Sequence, residues 1–357
     1  MSIDEKRRIH EEFMQKPKEE QQRLYNAWRE EYIKKEKEKH GIPNIEPISP
    51  KELNLKRDPN TAKIQLTEQV EIKGGLFYMG TQLMMGDKVR AANLKDGADV
   101  RKLAKCDGPY KMDIDVVTNE QFSEFVEATD YKTEAEIFGW SFVLENLVSE
   151  DVIAEVDGEK GYGRVKDAPH WLAVKGADWR HPYGNDSTIE DISNYPVVHV
   201  SFKDGSEYCT WAGRRLPSEK EFEFGARGGL VNNSYPWGNE LLPRKMNAWE
   251  GDFPKKNKMT DGYLGLAPTL SYAPNSYGLY NTVGNVWEWV LGGKPEGRIL
   301  RGGSFIDSTD GAFNHLLFVS TKQINAGDSG GSNIGFRCVT NIANKKKRNK
   351  KNSKPEL

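Results

Sequence analysis

Cysteine is scarce in this chain: 357 residues hold only Cys106, Cys209 and Cys338. An odd count excludes a fully paired disulfide framework. It leaves one bridge with one spare thiol, or three reduced thiols in a cytosolic protein. Long hydrophobic runs are missing too, and none approaches the roughly 18 residues that span a bilayer, which excludes a membrane-crossing helix. No sign of charge dominates. With 51 basic and 53 acidic residues the net charge is -2, which gives no electrostatic ground for a nucleic-acid partner. No internal repeat is present. Residues 1–40 lack the apolar stretch of a signal peptide. Either the natural start lies further upstream or the protein stays in the cytosol.

Glycine and tryptophan are plentiful, at 34 and 9 residues. That pairing predicts a loop-rich fold held by large aromatic anchors. The mean hydropathy of -0.73 is low for a globular chain, and the polarity is concentrated at the two ends. Residues 1–40 are densely charged. Leu24, Trp28 and Tyr32 recur at helical spacing there, so this region reads as two helices or one helix kinked at Pro17. Residues 41–66 form a proline-containing linker, and the folded domain is expected over residues 67–341. Residues 342–357 form a basic tail ending in Lys354-Pro355-Glu356-Leu357. A run of like charges is ordinarily a solvated tail or an import patch.

Within the domain, Gln69 to Met79 reads as a strand broken at Gly74-Gly75. A short strand follows near Tyr110–Ile114. Thr118 with Gln121 and Ser218 with Glu221 have capping-box spacing, and Ser201 is a further N-cap. Phe122, Phe125 and Val126 form one buried helical stripe. The second capping-box helix is expected to end at Gly228-Gly229. After that the segments are short and separated by Gly, Pro and Asn.

The block from Pro274 to Cys338 contains P-N-S-Y-G-L-Y-N-T-V-G-N-V-W-E-W-V, then R-I-L-R-G-G-S-F, then G-F-R-C-V. Earlier come His199-Val200-Ser201, Gly213-Arg214-Arg215-Leu216-Pro217 and Tyr235-Pro236-Trp237-Gly238-Asn239. Together these motifs resemble the formylglycine-generating enzyme family, the sulfatase-modifying factors, from about Val70 to Thr340. The resemblance implies an α+β fold: a single large domain with little regular secondary structure, related to C-type-lectin-like folds. It also implies a bridge between Cys209 and Cys338, and hence an oxidising compartment. The positions of the family's second bridge match Ala226 and about Leu317.

The catalytic members oxidise a substrate cysteine with two cysteines that follow the G-G-S element. Those positions match Asp307 and Ala312, so the chain resembles a non-catalytic member of the family, and no copper is expected. Soft thiolates suit Cu(I), whereas a carboxylate and a methyl group do not. Ser304 survives from the family's active-site region. An enzyme with altered chemistry, an oxidoreductase using Asp307, Asp310 and His315, is the alternative. The iron-dependent relatives on this domain would need clustered histidines. Only 6 histidines occur here, and none falls in an H-x-x-x-H-x-E pattern.

Calcium is the expected ligand, as two ions. A hard cation takes about 6 to 8 oxygens from carboxylates, amides and carbonyls on a curling loop. The resemblance places one set at Asn281, Gly284, Val286 and Glu288, and another at Asn247, Ala248, Asp261 and Tyr263. On their own, both stretches read as ordinary Asn/Asp/Gly turns.

Trp179, Trp237, Tyr235 and Arg337 are candidates for lining a peptide groove, with core packing as the common alternative. Asn185 and Asn232 open glycosylation sequons. The expected partners are sulfatases and the catalytic paralogue, in a heterodimer or a homodimer. K-P-E-L resembles a retrieval signal, which together with the family implies the endoplasmic reticulum lumen.

Overall fold

The computed structural model describes residues 65–81, 97–294, 296–311 and 313–342. The expected N-terminal helical region, nearly all of the linker, Ala312 and the basic tail with its K-P-E-L end lie outside the described residues.

Gly74 divides the first expected strand in two. Its φ of 71° is left-handed, and a Cβ there would meet the Cys106 carbonyl at 2.7 Å. Only glycine fits so close an approach without strain. The chain therefore gives β1 (Gln69–Ile72) and β2 (Gly75–Met79), which join different sheets. β2 pairs with β3 (Lys102–Cys106), which the sequence did not announce. β1 pairs with β4 (Tyr110–Asp113), and β12 (Val339–Asn341) lies on the other side of β4. The first and last described strands thus flank one central strand.

The capping-box signals are realised. Helix α1 (Asn119–Thr129) starts at Thr118 with Gln121 reciprocating. A box at Thr133 and Glu136 starts the short α2 (Glu134–Phe138). α3 (Glu150–Val156) starts at Ser149. Ser201 caps α4 (Phe202–Trp211), and Ser218 with Glu221 starts α5 (Glu219–Ala226). Each such cap satisfies N–H groups that the first turn leaves without partners. Beyond α5, Gly228 and Gly229 both take positive φ, as a helix stop requires.

Two further sheets complete the domain. β5 (Trp140–Leu144), β6 (Arg164–Val165) and β7 (Ala168–Lys175) run in the order β5-β7-β6. β8 (Trp287–Lys294), β9 (Gly297–Arg301), β10 (Lys322–Asn325) and β11 (Ile334–Gly335) run in the order β10-β9-β8-β11. Helix accounts for 18% and strand for 26%, so the expected α+β domain with little regular structure is what forms.

The main core is aromatic. Phe122 of α1 meets Trp179, Tyr208 and Phe336 at ring distances of 5.1, 5.9 and 6.4 Å. Cys209 of α4 and Cys338 are bridged in the same core, with their Cα atoms 5.7 Å apart. Trp179 and Arg337 are therefore interior residues, and the groove role considered for them is corrected: both are fully buried. Tyr235 is buried as well and stacks on Trp237 at 5.1 Å. Ala226 and Leu317 share a second apolar cluster with Phe222, Val283 and Val290. Packing occupies the place where a second bridge would stand.

Candidate functional site

The loop after β9 carries Asp307, one of the two positions where the resemblance expects a thiol. Gly302 and Gly303 turn the chain with φ of 91° and 75°. A Cβ on Gly303 would meet Leu317 Cδ2 at 2.1 Å, so glycine lets the loop close on the second cluster. Asp307, only 1% exposed, then folds back on the turn. Its Oδ2 accepts from the Ser304 N–H at 2.8 Å and from the Ser304 hydroxyl at 2.9 Å. Its Oδ1 accepts from the His315 N–H at 3.1 Å, with His315 Nδ1 at 3.4 Å. Ser304 Oγ in turn accepts from Asn333 Nδ2 at 2.9 Å. The carboxylate acts as a knot that fixes the loop by three hydrogen bonds. Buried polar groups are kept this way, by partners rather than by water. His315 also packs edge-on against Trp287 at 5.0 Å.

Asn333 connects this loop to a cleft. Ala135, Phe138, Trp140, Ser141 and Phe142 form one wall, and Asp328, Ser329 and Gly330 the other. Residues 331–332 run along β5: the Ser332 N–H donates to the Phe142 carbonyl at 2.9 Å, and the Leu144 N–H donates to Ser332 Oγ at 3.3 Å. This pairing sets Asn333 against Ser304. Beneath the cleft lies His199, fully buried. Its Nε2 faces the Pro182 carbonyl at 2.9 Å and its Nδ1 faces Ser141 Oγ at 2.9 Å. A carbonyl only accepts, so Nε2 carries the proton and Nδ1 takes the serine hydroxyl. Burial pushes His199 down to about 4, well below the usual imidazole value.

The two expected cation loops are joined. Asn247 Nδ2 donates to Asn285 Oδ1 at 3.0 Å, and the Asn285 N–H donates to the Asn247 carbonyl at 2.9 Å. Gly284 lies so close that a Cβ there would meet that carbonyl at 2.3 Å. Within the first loop, Asp261 accepts from the Ala248 N–H at 2.9 Å and the Tyr263 N–H at 3.1 Å. Burial pushes its carboxyl up to about 7. Among the described residues no cationic side chain reaches it. A buried carboxylate held by backbone N–H groups, with no counter-charge beside it, is a hard oxygen donor of the kind a hard cation takes, so the residue types at Asn247, Ala248, Asp261 and Tyr263 are compatible with calcium.

The second loop is arranged differently. Both Glu288 oxygens accept from Arg337. Asn281 donates its Nδ2 to Asp115 Oδ2 at 2.8 Å. Asn281 Oδ1 and the carbonyls of Gly284 and Val286 remain the oxygens of this set besides Glu288. The buried Asp115 was not anticipated. The signal was available in Lys111-Met112-Asp113-Ile114-Asp115-Val116, where two carboxylates alternate with apolar residues. Asn285 and Asn333 were likewise passed over, although Asn285 sits inside a recognised motif and Asn333 two residues before another. Asn185 and Asn232 are exposed on loops, as sequons require.

The profile of the Sulfatase-modifying factor enzyme 1-like domain matches residues 55–342, and the chain belongs to this family. It is 44% identical over 282 residues to the Inactive C-alpha-formylglycine-generating enzyme 2 of Bos taurus, covering 77% of this chain and 89% of that protein. It is 42% identical over 296 residues to the Formylglycine-generating enzyme of Mus musculus, covering 77% and 76%. Among solved structures, PvdO from Pseudomonas aeruginosa shares the fold, with a TM-score of 0.52 at 22% identity over 77% of this chain and 95% of that one.

Proposed function

We propose that this chain binds the peptide segments on which catalytic members of its family act, or a catalytic member itself, and modulates sulfatase activation without modifying cysteine. Asp307 carries the reading. It stands where the family resemblance places a thiolate, and its two oxygens already accept from Ser304 and His315. A carboxylate forms no disulfide with a substrate thiol, and it is a hard ligand where Cu(I) takes soft ones. The name of the bovine relative, which calls it inactive, supports the same reading.

The cleft between β5 and residues 328–330 offers one largely apolar wall facing a polar one, beside the extended backbone of β5, a surface suited to an extended peptide. The proposal includes two calcium ions, one at the Asp261 set and one at the Asn281, Gly284, Val286 and Glu288 set, and no copper. It places the protein in the endoplasmic reticulum lumen, retrieved by Lys354-Pro355-Glu356-Leu357. Sulfatases and the catalytic paralogue are the partners, in a heterodimer or a homodimer.

The test is an aldehyde assay on a C-x-P-x-R peptide with copper, oxygen and thiol supplied, run beside a fluorescence binding assay on the same peptide. We expect binding, weakened by Phe138→Ala, and no aldehyde. Robust turnover overturns the non-catalytic reading, and absence of binding to both peptide and paralogue overturns the binding role.

A further inference from the structure

We propose that Asn232 carries an N-linked glycan whose first sugars cover an apolar groove between the β2–β3 hairpin and the loop after α5. The inference rests on the lumenal reading above. The groove is lined by Leu76, Tyr78, Leu103, Leu230 and Val231, with Asn232 itself in the wall. Three of these are strongly exposed: Leu76 at 70%, Leu103 at 62% and Val231 at 73%. They gather because Tyr78 and Leu103 are cross-strand partners, while Leu76 lies two residues from Tyr78 on the same face. So concentrated an apolar patch is unusual on a soluble surface and marks something that covers it.

The sequon sits at this spot on a rigid turn. Asn232 has a φ of 60°, a left-handed conformation that asparagine tolerates well. Its neighbour Asn233 is locked inside: Nδ2 donates to the Tyr235 carbonyl at 2.7 Å and to the Arg227 carbonyl at 3.3 Å. The Ser234 N–H donates to Asn239 Oδ1 at 2.9 Å. Among the described residues no hydrogen bond engages the Asn232 amide, which faces solvent beside the leucines. N-acetylglucosamine presents C–H faces and an acetamide methyl, which suit Tyr78, Leu103 and Val231 as packing partners.

The other sequon is built differently. The Asn185 amide packs against Gly176 so closely that a Cβ there would meet its Oδ1 at 2.0 Å and its Nδ2 at 2.9 Å. The Ser187 hydroxyl, two residues on, is buried and donates to the Gly184 carbonyl at 2.7 Å. A sugar on Asn185 would have to pull this side chain off the backbone, whereas Asn232 needs no rearrangement.

In the step itself, Asn232 Nδ2 forms a bond to C1 of N-acetylglucosamine in a lipid-linked oligosaccharide. The C1–O bond to the lipid pyrophosphate breaks, the pyrophosphate leaves, and one amide proton is lost.

The experiment is mass mapping of the full chain expressed through a eukaryotic secretory route, with an apolar dye as reporter of the groove. We expect the Asn232 peptide to carry an N-acetylhexosamine and hexose mass series. Complete enzymatic removal of the glycan from the folded protein should raise dye fluorescence several-fold, while trimming to the first sugar should not. Ser234→Ala should behave like the deglycosylated protein: it removes the sequon and spares both the left-handed residue and the Ser234 backbone contact. An unmodified Asn232 in molecules whose Cys209–Cys338 bridge has formed overturns the proposal and leaves the lumenal reading intact. An unmodified Asn232 with the bridge absent overturns both. A glycan whose removal leaves dye binding unchanged, or a glycosylated dimer that buries Leu103, overturns the covering role.

Discussion

Arg337 holds Glu288 by both carboxylate oxygens, Nε to Oε2 at 2.7 Å and Nη2 to Oε1 at 2.8 Å. Both side chains are buried, and Asp115 lies 3.9 Å from the same guanidinium. Burial pushes both carboxyls up, and the guanidinium pulls them back. The remaining Arg337 N–H groups serve the Tyr280, Ile114 and Asp113 carbonyls at 2.9, 3.2 and 3.4 Å. One side chain thus ties β8, β4 and the loop between them.

Removing that guanidinium leaves buried charge without a partner. We expect Arg337→Met to cost about 3–5 kcal/mol, read from urea unfolding, as for other buried pairs broken on one side. Arg337→Met combined with Glu288→Leu should recover only part of the loss, because Asp115 and three carbonyls still lack their donor. A single variant as stable as the parent would contradict this account.

His199 predicts a pH dependence. Its folded value of about 4 lies below the ordinary 6.5, so between the two the unfolded chain binds the extra proton. Asp178 is the nearby charge that opposes the shift, and Ser141 and Pro182 contact the ring. The contribution of His199 is complete above pH 6.5. It falls away as pH drops toward 4, by up to about 3 kcal/mol. Unfolding free energies measured between these limits should decline more steeply for the parent than for His199→Gln. Equal slopes would show that this ring does not drive the acid sensitivity.

Calcium should raise the melting temperature, since a ligand bound only to the folded state stabilises it by mass action. The gain is about 2.7 kcal/mol at a hundredfold excess over Kd. Chelator should reverse the shift. Asp261→Asn should abolish the larger share, because Asp261 is the buried carboxylate without a cationic neighbour. If metal-loaded protein melts identically with and without chelator, neither loop binds calcium with consequence for the fold.

Reduction of the Cys209–Cys338 bridge removes a closure across 129 residues. Chain entropy values such a loop at about 5 kcal/mol. Cys209→Ala with Cys338→Ala should lower stability by a similar amount, measured by denaturant unfolding. Cys106 should label with thiol reagents only after unfolding, because it is buried and burial pushes its thiol up to about 11.

The sequence made the caps and motifs legible because they are local. Thr118, Ser201 and Ser218 each declare a helix start within four residues, and all three helices form there. The bridge between Cys209 and Cys338 was legible through the resemblance. Long-range electrostatics were not. Nothing near Arg337 in the chain reveals that its partners are Glu288 and Asp115, 49 and more than 200 residues away. Trp179 was ambiguous for the same reason: an aromatic residue in a loop looks alike whether it lines a groove or fills a core. β3 was hidden because its outward residues, Lys102, Leu103 and Lys105, do not alternate cleanly with apolar ones.

The packing of Ala226 against the cluster that holds Leu317 bears on how the chain matures. A protein that needs two correct bridges must sort several thiols and can be trapped by a wrong partner. Here three thiols allow only three pairings, and in the finished structure the spare one, Cys106, is enclosed away from the other two. Oxidative errors are correspondingly few. The loop carrying Asp307 is held by its hydrogen bonds to Ser304 and His315 and by apolar packing at Leu317, so its position does not depend on a second oxidation.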